Sequence, residues 1–108
     1  MATKASTIEY LVDQLSLLST VSTRKMFGEY ALYCDGKVVG LVCDNQLFIK
    51  ITESGKALLG EYYEEGEPYP GAKPYMRIDE GRIEDQRWLC MLVQVTADSV
   101  PIPKPKKK

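Results

Sequence analysis

The segment from Arg24 to Ile51, RKMFGEYALYCDGKVVGLVCDNQLFIKI, limits what this chain can fold into more than any other. It is the one long run of strand-favouring residues, and turn signals cut it twice. Asp35-Gly36 readily takes the positive φ angles of a two-residue hairpin turn. Asp44-Asn45 is a weaker signal of the same kind. The pattern predicts a three-stranded antiparallel meander over residues 25–34, 37–43 and 46–51. Two-residue turns also fix a register, in which Cys34 faces Lys37, Leu32 faces Val39, Tyr30 faces Leu41 and Gly28 faces Cys43. Phe27, Ala31, Tyr33, Val38, Val42, Leu47, Ile49 and Ile51 then make the core side. Met26, Tyr30, Leu32, Val39, Leu41 and Phe48 make the other. That second side is too apolar for a sheet wetted on one face. It is a candidate partner or oligomer surface, unless a helix or the tail covers it or a bulge at Gly28 or Gly40 reverses part of the alternation.

Helices flank the meander. Ser6 and Glu9 have the spacing of a capping box. Ile8, Leu11, Val12, Leu15 and Leu18 follow at helical spacing, which predicts a helix over residues 6–19. Thr52 or Ser54 caps a second helix over 53–62. Residues 64–74 hold three prolines and two glycines and read as a loop, with Tyr62, Tyr63, Tyr69 and Tyr75 around it. Such a cluster pins a loop to the body or offers a recognition surface. Residues 75–79 alternate as a strand. Residues 82–84 read as a very short strand or coil. Asp85 caps a last helix with Trp88, Leu89, Leu92, Val95 and Thr96 facing inward, ended by Pro101.

The predicted architecture is a two-layer α+β domain over residues 1–100, an antiparallel sheet with packed helices in the order α-β-β-β-α-β-(β)-α. A basic, proline-rich tail occupies 101–108. The net charge of −1 hides an uneven distribution. Lys104, Lys106, Lys107 and Lys108 carry +4, which leaves −5 on residues 1–103. The chain has no histidine, which removes the commonest general base and the commonest metal ligand. Cys34, Cys43 and Cys90 are odd in number and form no CxxC pair, so they give no metal-ligand spacing and fit a reducing compartment. Cys43 and Cys90 lie in apolar runs, whereas Cys34, beside a turn, is the thiol expected to be reachable. No apolar run is long enough to span a bilayer, and residues 1–10 lack the apolar stretch of a signal peptide. The expected location is the cytoplasm, with no membrane association.

Several segments, in order along nearly the whole chain, resemble one family. Arg24-Lys25-Met26-Phe27-Gly28-Glu29 is similar to the R-x-MFGG opening of the TfoX N-terminal domain family. Leu32-Tyr33-Cys34-Asp35-Gly36 resembles its LY-x-DG turn, and Leu47-Phe48-Ile49-Lys50-Ile51 its LYLKV strand. Gly71-Ala72-Lys73-Pro74-Tyr75, Asp85-Gln86-Arg87-Trp88-Leu89 and the lysine-rich ending are similar to recurring family segments. Glu29 departs from the pattern, standing where the family usually has its second glycine. The resemblance implies the same α+β fold and a stand-alone, non-enzymatic N-terminal domain. TfoX-like (Sxy-like) proteins are bacterial regulators of transcription and DNA-uptake competence, so it also implies a protein partner, such as the transcription machinery, and no cofactor.

Three function classes follow. The first is a small regulatory or adaptor domain, with Met26, Phe27, Gly28, Tyr30, Phe48 and Tyr69 as its candidate partner surface; a homo-oligomer is one form of such contact. The second is a nucleic-acid binder. Lys104, Lys106, Lys107 and Lys108 would make weak, non-specific and salt-sensitive contacts, with Arg24, Lys25, Arg77, Arg82 and Arg87 adding to them if the fold gathers them. The acidic body works against this. The third is an enzyme, for which Glu64, Glu65 and Glu67 form an acidic cluster in a loop. The first reading is preferred, with no catalytic, cofactor-binding or metal-binding residue.

Overall fold

The computed structural model describes residues 3–26 and 29–100. Helix α1 (Ala5–Gln14) precedes four strands, β1 (Val21–Met26), β2 (Glu29–Cys34), β3 (Lys37–Cys43) and β4 (Gln46–Ile49). Helix α2 (Glu53–Leu59) runs into a 3-10 turn (Gly60–Tyr62). Strands β5 (Glu65–Gly66) and β6 (Tyr75–Ile78) follow, then helices α3 (Glu80–Ile83) and α4 (Gln86–Ser99). The strands form one antiparallel sheet in the order β1-β2-β3-β4-β6-β5. The helices pack on one face of it, giving the expected two-layer α+β fold.

Both anticipated turns are present with the backbone they require. Asp35 and Gly36 have φ of 56° and 77°, and Asp44 and Asn45 have 53° and 63°. The strand bounded by them, β3, falls on the residues expected of it. The first expected strand is instead a hairpin: β1 and β2 pair from Val21↔Cys34 to Met26↔Glu29. The meander therefore has four strands. Val21–Met26 is missed by pattern reading because it holds two adjacent cations and no alternating apolar residues.

The expected register holds for Cys34↔Lys37 and then shifts. Tyr33 pairs Val38, but Leu32 pairs Gly40 and Tyr30 pairs Val42. Val39 is the extra residue of a bulge, and Gly40 permits it: a methyl group there would run into the Phe48 carbonyl oxygen and sit 3.0 Å from Ile49 Cδ1. The bulge moves Leu32 and Val39 to the helix side, against expectation. They join Cys34, Val42, Leu47, Ile49, Met76 and Ile78 beneath Leu11, Leu15, Leu89, Leu92 and Val93. Each such buried aliphatic side chain contributes about 1.5–3 kcal/mol relative to exposure. Ala31, paired with Leu41 and hence on the face of Phe48, lies opposite the core side expected for it.

The helix ends show where sequence and fold agree. Thr52 Oγ1 accepts the Gly55 N–H (2.9 Å) and caps α2, and the Asp85 carboxylate caps α4 through the Trp88 N–H (3.2 Å). Arg82 and Ile83 are helical and Glu84 caps them, because the Asp79 carboxylate accepts the Gly81 N–H and starts α3. Helix α1 does not use the Ser6–Glu9 box. Its N-cap is Lys4, and the Lys4 N–H and Thr7 hydroxyl both donate to Asn45 Oδ1 (2.9 Å each). The start of α1 is thus held by the β3–β4 turn.

Candidate functional site

The sheet face away from the helices carries a cleft of about 500 Å³ lined by Met26, Glu29, Tyr30, Leu41, Cys43 and Tyr69. Register builds its floor. Arg24, Ala31, Leu41, Phe48 and Arg77 are successive cross-strand partners from β1 to β6, so they share this face. The neighbouring row brings Met26 opposite Glu29 and Cys43 opposite Gln46. Tyr69 supplies the far wall from the loop between β5 and β6, which folds back over the face and buries Pro68.

The candidate residues divide sharply. Met26 and Tyr69 are 39% and 56% exposed. Tyr30 is half-buried, packing on the helix-side core while its other edge lines the cleft. Phe48 is only 4% exposed. It lies on the second face as anticipated, yet it is not open surface: its ring packs beneath Gly66 of β5, where an added methyl would stand 3.3 Å from Cε2. Phe27 and Gly28, and the tail lysines Lys104, Lys106, Lys107 and Lys108, lie outside the described residues. Leu41, Cys43 and Glu29 line the cleft but were not among the candidates. Alternation does place Leu41 on this side, whereas Cys43, beside a turn in an apolar run, looks like ordinary core.

Glu29, the residue that departs from the family pattern, has a structural partner set. Its Oε1 accepts the Thr3 hydroxyl and the Asp44 N–H (3.2 Å), while the Thr3 hydroxyl accepts the Asn45 N–H (3.2 Å). These bonds tie the residues before α1 and the β3–β4 turn to the end of the cleft. Three tyrosines of the loop region are likewise engaged. The Arg82 guanidinium lies 4.6 Å from the Tyr62 ring centroid and 5.7 Å from that of Trp88. Tyr63 donates to Glu65 (2.6 Å), which pushes its phenol up to about 12, and burial raises the Tyr75 phenol. Tyr62 and Tyr69 are both more than half exposed, but of the two only Tyr69 lines the cleft.

The other expected chemistry disperses. Glu64 forms an ion pair with Arg77 and Glu65 holds Tyr63, so two of the three loop acids have local partners. Arg24 and Arg77 sit at opposite ends of one row with three strands between them, about 19 Å apart at ordinary strand spacing. Arg82 is stacked on the helical layer, so the fold gathers no single basic patch from these residues. Cys34 is buried with 0% exposure, contrary to its expected reach. Burial raises the thiol pKa of Cys34, Cys43 and Cys90 alike, which disfavours the nucleophilic thiolate. Among the described residues no group of three or more Cys, Asp or Glu side chains is placed to hold a metal ion, and no helix is long and apolar enough to cross a membrane.

Comparison with known proteins adds two findings. The family model of the TfoX N-terminal domain matches residues 13–99. A relative from Spirochaeta aurantia, an uncharacterized 12.7 kDa protein in the 5′ region of trpE, is 47% identical over 107 residues, covering 99% of this chain and 91% of the relative.

Proposed function

The chain belongs to the TfoX N-terminal domain family, and from that premise we propose that it is a non-catalytic adaptor domain that binds a protein partner on its second sheet face. One observation carries the reading: an apolar cleft opens beside two exposed side chains, Met26 and Tyr69, on the face the helices leave free. Large apolar and aromatic side chains around a concave floor are what protein interfaces use as anchors. The family's regulators of competence and transcription give the setting, a stoichiometric contact in the bacterial cytoplasm. Three unpaired cysteines support a reducing compartment.

The test is capture of partners from bacterial lysate on the full chain, with and without nuclease, beside Tyr69→Ala and a chain whose four tail lysines are glutamine. The expected result is a saturable protein partner that survives nuclease and tail replacement and is lost with Tyr69→Ala at unchanged melting temperature. Recovery that vanishes with nuclease or with the lysines would replace this reading by tail-mediated nucleic-acid binding.

A further inference from the structure

Among the described residues, strand β1 is an open edge, last in the sheet and paired with β2 alone. Its hydrogen-bond phase follows from one contact. The Asp35 N–H donates to the Thr20 carbonyl (3.2 Å), one step beyond the Val21↔Cys34 pair. Bonded and non-bonded pairs alternate along an antiparallel ladder. Ser22, Arg24 and Met26 therefore turn their backbone groups toward β2, while Val21, Thr23 and Lys25 turn theirs outward. Among the described residues, none bonds to these outward groups.

We propose that this edge, with the cleft beside it, docks an extended acidic segment of a partner protein as a seventh strand; the proposal rests on the protein-binding reading above. Charge selects the guest. β1 carries exposed Arg24 and Lys25 and no acid, in a body of net −5. Arg24 stands on the cleft face over Tyr33, 6.0 Å from its ring centroid, and alternation puts Lys25 on the other. Carboxylates at adjacent guest positions would each meet one cation, as opposite charges do across paired strands. The guest side chain opposite Met26 falls on the cleft face, against Met26 at the outer end of the cleft, and is apolar. A second copy is a poor guest, since β1 against β1 sets these cations against their own equivalents, a known guard against self-pairing of edges. A nucleic acid would meet the same cations but has no ladder to match the outward N–H and C=O groups.

The test selects a random library of displayed eight-residue peptides on the full chain. Synthetic versions of the enriched peptides are then titrated by NMR against the parent, Thr23→Pro and Arg24→Glu/Lys25→Glu. Thr23→Pro removes an outward N–H and leaves the bonds to β2, the placement proline tolerates at an edge. The expected peptides are acidic, and their amide shifts concentrate at Val21, Thr23 and Lys25. Thr23→Pro weakens them by about tenfold, the loss of one backbone bond with its clash. The double reversal favours lysine versions of the same peptides, which holds the test even if the proline variant is unstable. Absence of enrichment, enrichment of neutral or basic peptides, indifference to both variants, or displacement by an eight-nucleotide single strand would each overturn the proposal. A whole-protein partner indifferent to both variants removes this inference and leaves the protein-binding reading; absence of any saturable protein partner removes both.

Discussion

The two faces of the sheet are buried by different means. On one, Leu32, Val39, Val42, Leu47 and Ile49 lie beneath α1, α2 and α4 in a continuous core. On the other, Cys43 and Phe48 are nearly as hidden, but what lies against them is a two-residue strand and a proline-rich loop. Residues one position apart in the same strand thus sit under a rigid layer or under a thin one. Segments held by few apolar contacts open at lower free energy than a helical core. Burial alone therefore does not separate the stabilising side from the side available for recognition; what covers the residue does.

This contrast can be broken in graded steps. Gly40→Ala acts on the backbone both faces share, forcing a methyl against the Phe48 carbonyl. It is expected to cost about 3 kcal/mol or more, at or above the top of the usual range for overpacking because the clash is with backbone, seen as a melting temperature lowered by more than about 10 °C or as failure to fold. Leu92→Ala leaves a cavity under the helices at a fully buried site and is expected to cost about 2–5 kcal/mol in urea titration. Thiol labelling sharpens the comparison without substitution. Cys43, beneath the loop, should react with a thiol reagent faster than Cys34, which needs the helical layer to open. Equal rates would mean that both faces open together. Tyr69→Ala should change stability by no more than about 0.5 kcal/mol, since a surface ring at the cleft mouth supports binding and not folding.

Much of the fold was legible because its signals are local. Asp35-Gly36 and Asp44-Asn45 need only a pair of residues tolerant of positive φ, and Thr52 and Asp85 announce their helices by chemistry three residues long. The misses come from what pairs of strands decide together. The bulge at Val39 depends on how close Gly40 stands to β4, and no alternation rule contains that distance. Strand β1 was invisible because its charges suit an edge and hide its period. Of the candidate surface, Met26 and Tyr69 were legible as large side chains near turns and loops. Phe48 was placed on the correct face, yet its cover comes from Gly66, eighteen positions later in sequence. The role of Glu29 was illegible because Thr3 and Asp44 meet it only in the folded chain.

The Asn45 contact has a consequence for the order in which the protein is made. Helix α1 has 10 residues, a length at which an isolated helix in water is marginal. The oxygen that secures its first turn belongs to a side chain 41 residues further along. As the chain leaves the ribosome, α1 emerges before the β3–β4 turn but is not fastened to it until that turn has followed it out and closed. A segment synthesised before the meander is thus locked in place after it.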